Sequence, residues 1–198
     1  MSSVGYATLY YGEKDITLPE GLTASTYTLK KTQDATYLTP SHTYYAGDKI
    51  PAETAVVVKG NPGEYTLTLS DIDNTLTKYS NVLKGCDEET TLLDDASKYF
   101  YKLTLNSDGD PNSIGFYWAN DNGTAFTTLA HKAYLAIDKS AAAKRIVTFL
   151  DSNEQNTTGL IDIKVNAKAD AVYELSGKHV PASHKGIQIR KGKKYLMK

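Results

Sequence analysis

Apolar residues in this chain recur mostly with a period of two, in short runs rich in tyrosine, threonine, valine and isoleucine. That is the patterning of strands half-buried on one face. Residues 4–11 are aromatic and β-branched and stop at Gly12-Glu13-Lys14-Asp15, predicting a strand and a turn. Ile16-Thr17-Leu18-Pro19, the turn Glu20-Gly21 and the alternating run 23–29 predict a hairpin. Ala35-Thr36-Tyr37-Leu38 predicts a short strand that Pro40 ends, because proline cannot donate to a ladder. The compact run Ala55-Val56-Val57-Val58-Lys59 reads as a central strand. Across Asn61-Pro62-Gly63 it faces a second alternating run, with Tyr65, Leu67 and Leu69 on one side and threonines on the other, so the pair predicts another hairpin.

Residues 70–97 are acidic and polar with Val82-Leu83-Lys84-Gly85 as the only apolar break, which predicts long surface connections. Alternation resumes at residues 98–105: Tyr99, Tyr101, Leu103 and Leu105 are expected inward, Lys102 and Thr104 toward water. In the stretch from Ser113 to Gly123, Ile114, Phe116 and Trp118 share one face, expected to be buried, and Gly115 and Tyr117 share the other. Residues 131–137 and 145–150 predict further strands, and residues 140–144 form the one alanine-rich, helix-friendly turn. The apolar-free tract 151–158 reads as a linker, beyond which 161–165, 171–175, 179–180, 186–190 and 194–197 are strand candidates separated by glycine turns. The expected fold is therefore all-β: an antiparallel β-sandwich over residues 1–150, a linker at 151–158, and a small C-terminal β-domain over 159–198.

A chain of 198 residues buries a core without staples, and its single cysteine, Cys86, excludes an internal disulfide. The formal charge of −1 provides no basic footprint, so nucleic acid is not an expected partner. The lysines crowding the C-terminal turns and strand edges discourage edge-to-edge aggregation. No run approaches the roughly 18 apolar residues of a membrane span, and no signal-peptide core follows Met1, so no transmembrane segment is expected. Fifteen tyrosines against four phenylalanines and one tryptophan suit half-buried strands and wet recognition surfaces.

Candidate chemistry is thin. His42, His131, His179 and His184 show neither metal-ligand spacing nor a nucleophile elbow, so no catalytic residue is expected. Asp71, Asp73, Asp87, Glu88, Glu89, Asp94, Asp95, Asp108 and Asp110 all fall in polar turn sequence, where nothing raises a carboxyl into the range a glycosidase's acid needs. Asn106-Ser107-Asp108-Gly109-Asp110-Pro111-Asn112 superficially resembles a calcium loop but lacks its closing bidentate glutamate, so no metal or other cofactor is expected. Trp118 has two readings, as core packing or as a platform for a flat ligand such as a sugar ring. The candidate ligand-binding residues are Trp118 and Tyr117 with Asn120, Asp121 and Asn122, whose amides and carboxylate suit sugar hydroxyls.

The order of Gly5-Tyr6-Ala7-Thr8-Leu9-Tyr10, residues 50–60, Leu83-Lys84-Gly85, Gly115-Phe116-Tyr117-Trp118 and His131-Lys132-Ala133-Tyr134-Leu135 resembles a C-terminal β-rich accessory module of large secreted or cell-surface Bacteroidetes proteins. The tail, from Val172-Tyr173-Glu174-Leu175-Ser176-Gly177-Lys178 through Lys185-Gly186-Ile187-Gln188-Ile189 to Gly192-Lys193-Lys194, resembles the short sorting-type domain that ends such proteins. It departs from that pattern at Gln188, where similar tails carry tyrosine. The resemblance implies a secreted or cell-surface fragment without its leader, upstream domains in the parent chain, and no catalysis. The expectation is a non-catalytic module binding polysaccharide or cell-surface glycan; the alternative is a structural spacer and sorting domain with no ligand of its own.

Overall fold

The computed structural model describes residues 1–32, 35–106, 110–140 and 145–150 and the strands within 172–174, 179–180, 186–190 and 193–197. Two compact units divide the chain, Met1–Gln155 and Asn156–Lys198. The described residues are nearly all β. The only helix among them is a single 3-10 turn at Pro111–Ser113, and none is long and apolar enough to cross a membrane.

In the first unit the strands are β1 (Tyr6–Leu9), β2 (Asp15–Thr17), β3 (Leu22–Lys31), β4 (Thr36–Tyr44), β5 (Lys49–Ile50), β6 (Val56–Gly60) and β7 (Thr68–Ser70). They continue with β8 (Leu83–Cys86), β9 (Thr90–Thr91), β10 (Lys98–Thr104), β11 (Gly115–Trp118), β12 (Thr127–Thr128), β13 (Lys132–Asp138) and β14 (Ile146–Phe149). Nine of them form one sheet in the order β1-β6-β3-β4-β14-β11-β10-β13-β8. Its pairings are antiparallel except that β14 runs parallel to β4. The sheet rolls until its ends meet. Ala133 N–H donates to Thr8 Oγ1 at 3.1 Å, and Tyr10 N–H donates to the His131 carbonyl at 3.2 Å. Val82 N–H reaches the Tyr27 carbonyl at 2.8 Å.

Side-chain alternation explains the roll. Ala55, just before β6, and Val57 within it point into a cluster with Tyr27, Leu38, Leu83, Tyr101, Phe116, Leu135 and Val147, so residues from both halves of the sheet share one core. Val56 and Val58 point the other way, into a second cluster with Ile16, Leu18, Leu22, Ala24, Tyr44 and Ile50. A strand covered on both faces needs a continuous apolar run instead of an alternating one, which is what 56–58 provide. Each buried valine contributes about 1.5–3 kcal/mol.

The small sheet β5-β2-β7 carries Ile16 and Ile50 of this second cluster. Its position depends on Asp15, a residue whose sequence context predicts a turn. The carboxylate is fully buried, with Oδ1 accepting Ala52 N–H at 2.7 Å and Oδ2 accepting Asp73 N–H at 2.8 Å. Both expected hairpins consequently dissolve. β2 pairs with β5 and β7, while β3 pairs with β4 and β6, because Ile16 finds its apolar neighbours across the chain and not in the adjacent run.

Pro40 does not end its strand either. β4 runs through it to Tyr44 because the register shifts beside it, from Thr26↔His42 to Tyr27↔Pro40, leaving Ser41 opposite no partner. A bulge is where a strand tolerates the missing donor.

The second unit holds β15 (Val172–Glu174), β16 (His179–Val180), β17 (Gly186–Arg190) and β18 (Lys193–Met197), an antiparallel sheet in the order β16-β15-β17-β18. The expected linker at 151–158, the strand at 161–165, most of the alanine-rich turn and the centre of the calcium-like loop lie outside the described residues.

Candidate functional site

The five residues expected to bind ligand lie at the end of β11 and in the turn that follows. Trp118 pairs with Tyr101 across β10 and packs against the inner core, as the alternation with Phe116 requires. Its ring is well attended. The Tyr99 ring lies 4.6 Å away, the Arg145 guanidinium 5.5 Å above it, and Gly123 is pressed against the indole. The buried indole N–H makes no full hydrogen bond, yet it sits near enough to the Tyr101 hydroxyl to oppose the rise in that phenol's pKa that burial causes.

Tyr117 faces away from the core, and its hydroxyl donates to the Ser113 carbonyl at 2.6 Å. Asn120 holds the turn together: Nδ2 donates to Thr124 Oγ1 at 2.8 Å, and Oδ1 accepts Thr124 N–H at 3.0 Å. Exposed Asp121 receives Arg145, with Nη2 3.1 Å from its carbonyl and 3.5 Å from its carboxylate. Asn122 is exposed. The cluster is therefore largely engaged in its own turn, and Trp118 is partly buried.

A broader surface lies on the outer side of β8, β13 and β10. On β13, Ala133, Leu135 and Ile137 are buried in the core, so Lys132, Tyr134 and Ala136 point outward, with Lys84 opposite Tyr134 on β8. The β9–β12 ribbon lies over this face, its two arms joined to each other by Leu92 N–H to the Phe126 carbonyl at 3.0 Å and Ala125 N–H to Asp94 Oδ1 at 3.2 Å. Phe126 descends from it and meets Tyr134 edge to face, with ring centroids 6.3 Å apart. Burial pushes the Tyr134 phenol up, and the Cys86 and Tyr10 side chains add to the rise.

This aromatic pair lies between two hollows. One, of about 540 Å³, is lined by Phe100, Tyr134, Ala136, Lys84, Lys98 and the 93–96 loop. The other, of about 440 Å³, opens where β10 and β13 part. Those strands pair only from Lys98↔Asp138 to Tyr101↔Leu135; beyond that β10 pairs with β11 alone and β13 with β8 alone. Lys102 and Lys132 flank the gap, and Thr8 of β1 closes it from behind.

A second concentration of polar groups marks the seam of the roll. His131 adopts φ 55°, stacks on Tyr11 at 3.9 Å and 12°, and places Nδ1 3.5 Å from Asp87 Oδ1, which accepts Gly12 N–H at 2.8 Å. Glu53, at φ 63°, donates its N–H to the Tyr11 carbonyl at 2.8 Å. Burial and then Asp87 push the Cys86 thiol up, away from a reactive thiolate. These contacts fasten the sheet ends. Among the described residues no three His, Cys, Asp or Glu side chains come together as a metal cluster.

The outward face of β13 was readable from alternation, since Lys132, Tyr134 and Ala136 are spaced by two. Its partners were not, because pairing of β13 with β8 and the ribbon crossing above depend on contacts distant in sequence. Comparison of the chain with protein-family models, with curated proteins and with solved structures finds no match in any of the three.

Proposed function

We propose that this chain is a non-catalytic accessory module of a secreted multidomain protein, binding polysaccharide across the outer face of β8, β13 and β10. The observation that carries the reading is the Phe126–Tyr134 ring pair set between two open hollows on the sheet's outer face. Aromatic rings take the apolar faces of sugars, and hollows of this size hold one or two rings each. In this reading the rolled sheet is a sandwich whose two halves meet through Val57 and Leu38 on one side and Tyr101, Phe116 and Leu135 on the other. Hydrogen bonds and ion pairs lower Glu53, Asp71, Asp73 and Asp95, the reverse of what a proton-donating carboxyl needs.

Affinity electrophoresis of the full chain through a panel of neutral and acidic polysaccharides tests the proposal. Retardation by at least one polymer, lost in Tyr134→Ala and Phe126→Ala with the fold intact, is the expected result. Free migration in every gel would remove the carbohydrate reading. The separate four-stranded C-terminal sheet favours a second reading, a spacer and sorting domain. Deleting residues 159–198 would then strand the parent protein inside the cell, and unchanged export would count against it.

A further inference from the structure

We infer that the hollow between the parted strands β10 and β13 is a subsite for the carboxylate of an acidic sugar, so that the polysaccharide bound is a polyuronate. This rests on reading the outer face as glycan-binding and adds the chemical class of the glycan.

The hollow holds about 440 Å³, and two lysines, Lys102 and Lys132, line it with no carboxylate among the lining residues. Among the described residues neither lysine has an acidic partner, nor does the adjacent Lys84; the ion pairs formed there involve Lys14, Lys78, Lys98, His131 and Arg145. Asp87, the acid that follows Lys132's register partner Cys86, already accepts Gly12 N–H and faces His131. Two unpaired cations flanking one opening create a local positive field that favours an anionic ligand, although the chain as a whole is close to neutral. The remaining wall suits a sugar and not a bare ion. Phe126 and Leu129 present apolar surface, and the buried hydroxyls of Thr8 and Thr128 lie at the margin. The parted backbone also explains why there is a hollow here at all. Had β10 and β13 remained paired beyond Tyr101↔Leu135, their ladder would fill the space.

The test is binding of the full chain to polygalacturonate, to its fully methyl-esterified form and to hydroxyethylcellulose, by calorimetry at low and at physiological salt. Polygalacturonate should bind at least tenfold more tightly than the ester, with the difference shrinking as salt rises. Lys102→Gln with Lys132→Gln should abolish that preference, bringing polygalacturonate down to the affinity of the ester, while Lys14→Gln, which precedes β2 and pairs with Asp71, should leave the preference as it was. Equal affinity for acid and ester, or an undiminished preference in the double variant, would overturn the subsite while neutral binding preserves the module's proposed role. No binding to any of the three would overturn both. Dextran sulfate or duplex DNA bound as tightly as polygalacturonate would reduce the hollow to unselective polyanion attraction and overturn the inference.

Discussion

Gly123 lies directly on the indole of Trp118: a Cβ at that position would stand 2.8 Å from Trp118 Cε2 and 2.8 Å from Tyr99 Cδ1. The residue is also at φ 63°, in the left-handed region that a side chain resists. Gly123→Ala is expected to cost about 2–4 kcal/mol, combining backbone strain with overpacking. Urea unfolding reads the loss, and a shifted emission maximum from the single tryptophan would show that the ring is displaced.

Asp15 bridges two segments through backbone amides alone. Asp15→Ala leaves the buried N–H of Ala52 and the partly buried N–H of Asp73 without acceptors, with an expected loss of about 2–4 kcal/mol in chemical denaturation. Asp15→Asn keeps one acceptor oxygen and should fall between. Wild-type stability in Asp15→Ala would show that the small sheet is held by Ile16, Leu18 and Ile50 without this tie.

Burial, with smaller contributions from Tyr79 and Asp48, raises the Tyr44 phenol from 10.0 to about 12. A group whose folded pKa exceeds its unfolded value keeps a proton that the unfolded chain loses. Stability from this tyrosine is therefore intact below pH 10 and lost as pH rises from 10 toward 12. Its hydroxyl is buried without a hydrogen-bond partner, so Tyr44→Phe should be neutral or stabilising by up to about 1 kcal/mol at pH 7. The variant should also flatten the alkaline limb of the unfolding profile; an unchanged limb would place the proton loss elsewhere.

Asn120 separates a turn role from a ligand role. Asn120→Ala removes the bonds to Thr124 and should lower stability by about 1–2 kcal/mol while leaving polysaccharide retardation as it was. Lost retardation in a variant that still unfolds cooperatively would return the binding site to the 117–122 cluster.

Much of the strand content was legible because alternation is local. Trp118 with Phe116 on the inner face, and Tyr101 with Leu103 opposite them, follow from a period of two. Pairing was not legible, since nothing in Val56-Val57-Val58 says that its neighbours are β1 and β3, both far upstream. Pro40 misled because proline's missing donor bars only a regular ladder, and the register shift beside it cannot be read from the strand itself. Asp15 misled because a lone acid after Gly12-Glu13-Lys14 has the composition of a turn, while its burial depends on amides supplied from residues 52 and 73. The outer face was missed for a related reason: Phe126 and Tyr134 become a pair only once the β9–β12 ribbon is laid over β13.

The meeting of the sheet's two ends also bears on how such a unit behaves in crowded company. An open nine-stranded sheet would offer two rows of bare amides and carbonyls to any neighbouring chain. Here the β1 end is closed by Thr8 and Tyr10 against residues 131–133, and on the β8 side the Tyr10 ring covers Gly85 so tightly that a Cβ would stand 2.1 Å from Tyr10 Cγ. Substituting Gly85 would push that ring aside and unlatch the seam. Copies strung along a long polypeptide, or packed densely at a surface, would then find strand partners in one another, and the first symptom would be insolubility instead of lost binding.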